Sequence, residues 1–93
     1  MRSETTPAFW RRYRSLPLDV RRLARKNYRL WRENPHHPSL RFKQVKPGIW
    51  SARIGLPWRA LAVTDGDTFI WFWIGHHREY DRFLKSQDPR KHQ

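Results

Sequence analysis

The chain has no cysteine, a single methionine, four glycines and only eight acidic residues. Each scarcity closes off a class of explanation. Without cysteine there are no disulfides, no thiolate nucleophile and no Cys-containing zinc site, so stability must come from apolar packing, to which six tryptophans contribute heavily. That usage fits a reducing cytoplasm. No run of about 18 apolar residues is present to cross a bilayer, and the opening Met-Arg-Ser-Glu-Thr-Thr-Pro lacks the apolar core of a secretory signal. The expectation is a soluble cytoplasmic protein with no membrane role. Glycine-rich phosphate loops, dinucleotide fingerprints and Gly-x-Ser-x-Gly elbows are also missing, so any catalysis must proceed without a small-molecule cofactor.

What is present is positive charge. Twenty Lys plus Arg against eight Asp plus Glu give a formal charge of +12, a field that attracts phosphate backbones, acidic proteins or anionic surfaces. Ninety-three residues are enough for one small domain and too few for a deep substrate cavity. A single domain over 1–93 with a shallow, anion-seeking site is expected.

The periodicity of the chain divides it in two. Thr5 or Thr6 before Pro7 is a helix start, since a threonine hydroxyl can cap a free N–H and proline suits the first helical position. This helix runs to Ser15 and is broken by Leu16-Pro17. From Leu18, residues Val20, Leu23, Ala24, Asn27, Leu30 and Trp31 recur at helical spacing with arginines opposite, until Asn34-Pro35. The period then falls toward two. Leu40 and Phe42 alternate with Arg41 and Lys43 up to Pro47-Gly48; Trp50, Ala52 and Ile54 form a second strand, 59–64 a third, and 68–74 a fourth after the Asp65-Gly66 hairpin signal. The fourth is apolar on both faces, which suits a covered or central strand. Helices are expected on one side of the sheet, a short helix over 77–84 and a mobile polar tail over 86–93. Residues 2–6 fit either a short first strand or coil. The fold class is α+β: an N-terminal helical hairpin on a small antiparallel sheet, closed by a short C-terminal helix.

Candidate chemistry gathers where the strands turn. Antiparallel neighbours lie about 4.8 Å apart, so Arg53 and Arg59, either side of the Gly55-Leu56-Pro57 turn, are brought close. Two guanidiniums in that position repel unless an anion or carboxylate separates them, and phosphate matches their planar forks. A solvated basic surface, or a bridge to Glu79 or Asp81, is the structural alternative. His76 and His77 follow the apolar strand, and imidazole can give or take a proton near neutral pH; strand alternation aims at most one of them at the site. Tyr80 offers a ring to stack on a base or a phenol to orient a phosphate, or else packs on the sheet. Lys43, Lys46 and Arg78 extend the basic set as RNA contacts alongside His76. Adjacent histidines chelate one ion poorly, and no carboxylate set completes a shell, so no metal site is expected. Metal-free RNA cleavage needs only side chains, because the 2′-hydroxyl attacks the neighbouring phosphorus once a base removes its proton.

In order along the chain, Thr6-Pro7-Ala8-Phe9, Leu16-Pro17, Asn34-Pro35, Pro38-Ser39-Leu40, Ser51-Ala52-Arg53-Ile54-Gly55, Trp58-Arg59-Ala60-Leu61 and Ile74-Gly75-His76-His77-Arg78-Glu79-Tyr80 resemble the RelE/ParE superfamily of toxins from bacterial type II toxin-antitoxin systems. The resemblance covers roughly residues 5–84. It implies a RelE-like fold, a cognate antitoxin as partner, and an mRNA interferase that cleaves mRNA on the ribosome, inhibiting translation and arresting growth. It also implies that Arg53 and Arg59 bind the scissile phosphate, that His77 stands near a C-terminal acid or cation, and that Tyr80 matches a substrate-facing aromatic. One departure stands out: where a nuclease branch has a lysine as base, two residues before the Arg53 position, this chain has Ser51. His76, His77, Lys43 or Lys46 are the candidate replacements. The competing expectations are a ParE-like inhibitor of DNA gyrase without nuclease activity, and a non-catalytic basic binding module.

Overall fold

The period-two segments pair into one sheet, and a computed structural model describes the chain over residues 2–86. The tail expected to be mobile lies, beyond Ser86, outside the described residues. The elements are β1 (Arg2–Thr5), α1 (Pro7–Arg14), α2 (Leu18–Glu33), a 3-10 turn (Pro38–Leu40), β2 (Lys43–Lys46), β3 (Ile49–Ile54), β4 (Trp58–Asp65), β5 (Thr68–His76) and α3 (His77–Ser86). The strand order is β1-β5-β4-β3-β2. Residues 2–5 thus settle as a strand, and because β1 runs parallel to β5 the sheet is mixed rather than wholly antiparallel. The reason lies in the backbone: β5 is apolar on both faces and cannot leave an edge of N–H and C=O groups unpaired, so β1 covers it.

Local signals account for the helix ends. Thr6 Oγ1 accepts from the Phe9 N–H at 3.1 Å, with Pro7 opening α1. α2 stops before Asn34, whose extended backbone is what Pro35 imposes on its predecessor. The expected start of the first meander strand is corrected: Leu40 belongs to the 3-10 turn, and Arg41 takes a left-handed conformation (φ 43°) before β2 begins at Lys43. Leu40 is 1% exposed, and burying it required a turn that straight alternation could not make.

α1 and α2 cover one face of the sheet, where Ala52, Ile54, Ala60, Ala62, Trp71 and Ile74 form the floor of the core. Trp31 is the centre of that core. Its ring meets those of Tyr28, Phe42, Phe69 and Trp71 at centroid distances of 5.1–5.9 Å, stacked on Tyr28 and edge-to-face with the other three, geometries that stabilise beyond the area they bury.

A single irregularity in β5 decides what lies on the other face. Leu61 pairs with Trp73 but Ala62 pairs with Trp71, so Phe72 is an extra residue without a partner on β4. Strict alternation would send Trp71 and Trp73 to the same side. The bulge separates them: Trp71 packs on Trp31 under the helices, while Trp73 stacks on Phe83 of α3. The expectation that helices occupy one side therefore holds for α1 and α2, and α3 lies on the opposite face.

Candidate anion-binding recess

Arg53 and Arg59 are register partners across β3 and β4. Cross-strand partners share a face, so both guanidiniums leave the sheet on the side away from α1 and α2. The turn that brings them together depends on Gly55, whose φ of +62° is a left-handed value and whose missing Cβ would stand 3.0 Å from Leu23 Cδ2. Two residues before Arg53, Ser51 points the same way, and its register partner on β2 is Lys43. Arg41 and Tyr80 of α3 complete a recess of about 220 Å³ lined by Arg41, Lys43, Ser51, Arg53, Arg59 and Tyr80. Four cations face a space of ligand size.

Their pairing within the protein is incomplete. Arg59 Nη1 donates to the Leu56 and Trp58 carbonyls at 2.8 Å each, which fixes the head of the side chain without neutralising it. Arg53 Nε is buried with no hydrogen-bond partner. Burial, and next the nearby Arg53 charge, lower the pKa of Arg59; Tyr80 and Asp81 act in the opposite direction, and Arg41 adds a smaller lowering. Arg59 remains cationic at neutral pH because arginine starts so high. The acidic alternative is not realised: Glu79 pairs with Arg12, and Asp81 lies 3.9 Å from His77 Nδ1. Like charges held together under partial desolvation create a strong preference for an anion.

Of the residues singled out in the sequence, Arg53, Arg59, Tyr80 and Lys43 line this recess, whereas Lys46, His76, His77 and Arg78 do not. The bulge at Phe72 is one cause, since it turns Gly75 rather than His76 to the Arg59 side; Arg59 is the register partner of Gly75. His76 lies against Trp58, and its Nδ1 accepts from the Arg78 N–H at 3.2 Å, capping the start of α3. His77 donates its backbone N–H to the Pro57 carbonyl at 2.7 Å, tying α3 to the β3–β4 turn. Among the described residues no group of three or more His, Asp or Glu is placed to hold a metal. Arg41 is the member that periodicity missed, because its left-handed backbone is invisible to an alternation pattern.

A second, larger cleft of about 570 Å³ opens between α1 and α2, floored by Ala52 and Ala60 and edged by Arg25 and Arg29. Its walls are mainly apolar side chains, including Phe9, Tyr13 and Trp31. The smaller recess is the candidate chemical site because four cations line it beside the Tyr80 phenol and the Ser51 hydroxyl, with no acidic residue in its lining.

Several solved structures share this fold at low sequence identity. A chain of the RelB-RelE antitoxin-toxin complex from Methanococcus jannaschii superposes with TM-score 0.68 at 19% identity, covering 86% of this chain and 98% of that one. A YoeB/ParE toxin from Agrobacterium tumefaciens gives 0.65 at 18% identity, with 83% and 99% covered. YafQ from E. coli gives 0.65 at 13% identity, with 86% and 98% covered. At such identities the likeness establishes the fold. No curated protein matches the sequence. A family model for the ParE-like toxin domain matches residues 18–82, well over half of the sequence, and the chain accordingly belongs to that family within the RelE/ParE superfamily.

Proposed function

We propose that this chain is the toxin of a type II toxin-antitoxin system, acting as a metal-independent, ribosome-dependent endoribonuclease that halts translation. The observation that carries the reading is the recess: Arg53 and Arg59 side by side, neither in an ion pair with a carboxylate among the described residues, with Lys43, Arg41, Ser51 and Tyr80 around them. In this mechanism the RNA 2′-oxygen attacks the adjacent phosphorus, the bond to the 5′-oxygen breaks, and a 2′,3′-cyclic phosphate and a 5′-hydroxyl end are released. Arg53 and Arg59 hold the charge that builds on the phosphorane oxygens. We assign the role of taking the 2′-hydroxyl proton to Lys43, a reading supported by its pairing across the ladder with Ser51. Tyr80 presents its phenol to the leaving 5′-oxygen and gives it the proton that completes the 5′-hydroxyl, and the proton taken by Lys43 passes to solvent. Lys46, His76, His77 and Arg78, outside the recess, are assigned to the RNA strand on either side.

The antitoxin of this proposal is an acidic, amphipathic segment, a match for the apolar cleft between α1 and α2 with its Arg25 and Arg29 rim. A gyrase-inhibitor reading is favoured by one feature, Ser51 at the position where the nuclease branch has its lysine. Primer extension on cellular mRNA after induction decides between them. Discrete new RNA ends from the wild type and none from an Arg53→Ala/Arg59→Ala variant support the nuclease; growth arrest without new ends replaces it with the gyrase reading. Unimpaired growth leaves a basic binding module.

A further inference from the structure

Arg12 lies on α1, remote from the recess, yet its guanidinium makes three contacts on the face that carries α3. Nε donates to the Ile74 carbonyl at 2.9 Å, the guanidinium carbon sits 4.7 Å from the Trp73 ring centroid, and Nη2 pairs with Glu79 of α3. Space for this is made by a glycine. A Cβ at Gly75 would stand 2.9 Å from Arg12 Nη2 and 2.8 Å from the Trp73 ring. Gly75 is also the register partner of Arg59, so the Arg12 head and the recess flank the same stretch of β5.

Helical spacing then links Arg12 to Tyr80. Residues advance about 100° around a helix, which puts Phe83 between Glu79 and Tyr80 when α3 is viewed end-on. Phe83 seats on Trp73 and Phe72, Glu79 is held on one flank by Arg12, and Tyr80 falls on the other flank, where it lines the recess. A helix seated on a ring at its middle can roll, and a tie on one side sets the roll. The backbone ties from the His77 N–H to the Pro57 carbonyl and from the Arg78 N–H to His76 Nδ1 anchor the start of the helix.

We propose that Arg12 is a positioning residue: by holding Glu79 it fixes the rotation of α3 and so keeps Tyr80 over the Arg53–Arg59 recess. Its link to RNA rests on the function proposed above; its effect on α3 does not. An isolated surface ion pair contributes little, but here the arginine is also bound to a carbonyl and a ring, so the carboxylate meets a preorganised partner.

The test uses the full chain with Arg12→Ala, Glu79→Gln, Tyr80→Ala and the Arg12→Ala/Tyr80→Ala double variant. Amide hydrogen exchange is followed along the chain, and affinity for a short fluorescent single-stranded RNA is measured at fixed salt. Expected are an increase of about tenfold in exchange over residues 79–86 for Arg12→Ala and Glu79→Gln with β3 and β4 unchanged. RNA affinity in the double variant should be no lower than in Tyr80→Ala alone, the signature of two residues acting through one. Wild-type exchange over α3 in both single variants, or losses of affinity that add, would overturn the proposal. Glu79→Gln leaves every other Arg12 contact in place, so the result does not depend on how well Arg12→Ala folds. Should the wild type bind RNA no better than Arg53→Ala/Arg59→Ala, the RNA function fails while the exchange data still judge the placement of α3.

Discussion

Arg53 carries opposed roles that a single substitution can separate. Its Nε is buried without a partner and its charge is crowded against Arg59, a loss of roughly 1–3 kcal/mol for an unsatisfied buried polar group. Arg53→Met keeps the aliphatic stem and removes both penalties. Urea unfolding should show the variant more stable by about 1 kcal/mol, while RNA affinity falls about tenfold with the loss of a charged phosphate contact. Arg41 poses the same conflict in the backbone, because φ of 43° is a left-handed value at a non-glycine residue. Arg41→Gly should stabilise by about 0.5–1 kcal/mol through relief of that strain, again with weaker anion binding. A loss of stability in either variant would mean that the cation is satisfied by groups other than a ligand. The depressed Arg59 pKa has a matching sign: the folded state holds this proton less tightly than the unfolded chain, which disfavours folding at every pH below the arginine range. An anion that binds only the folded state reverses this, so millimolar phosphate should raise the unfolding temperature of the wild type and leave Arg53→Met less affected.

At the scale of elements, the β3–β4 turn and the β5 bulge do the placing. Gly55→Ala introduces a Cβ at φ +62° with Leu23 Cδ2 only 3.0 Å away. A cost of about 1–2 kcal/mol is expected, together with reduced toxicity, since the turn that sets Arg53 beside Arg59 must move; full toxicity at unchanged stability would show that the turn geometry is not what aligns them. The hairpin signals and helix limits were legible from Thr6-Pro7, Leu16-Pro17, Asn34-Pro35 and Asp65-Gly66, because each states a backbone preference locally. The extra residue at Phe72 was not. A bulge in a run of large apolar side chains leaves the composition of both faces unchanged, so no alternation count detects it, yet it turned Gly75 to the Arg59 side in place of His76.

For the whole molecule, the formal charge of +12 supplies long-range attraction whose signature is salt dependence. If the four cations that line the recess contact a single-stranded RNA backbone, log affinity should fall with log salt at a slope of roughly −3, taking about 0.7 per contact. A fluorescence titration at several salt concentrations measures it. A slope near zero would place binding in base stacking on Tyr80 rather than in the recess.

What the amino-acid order determined alone is the helix-strand pattern, the positive field and the nearness of Arg53 to Arg59, because these depend on neighbours in the chain or across one short turn. Tertiary structure decided the rest. It made β1 a parallel cover for β5, put α3 on the face opposite α1 and α2, and brought Arg41 and Tyr80 to the recess while leaving both histidines outside it. Those outcomes depend on which faces are covered when Trp31, Trp71 and Trp73 find their partners, and burial of that kind is settled by the assembled molecule, not by any segment of it.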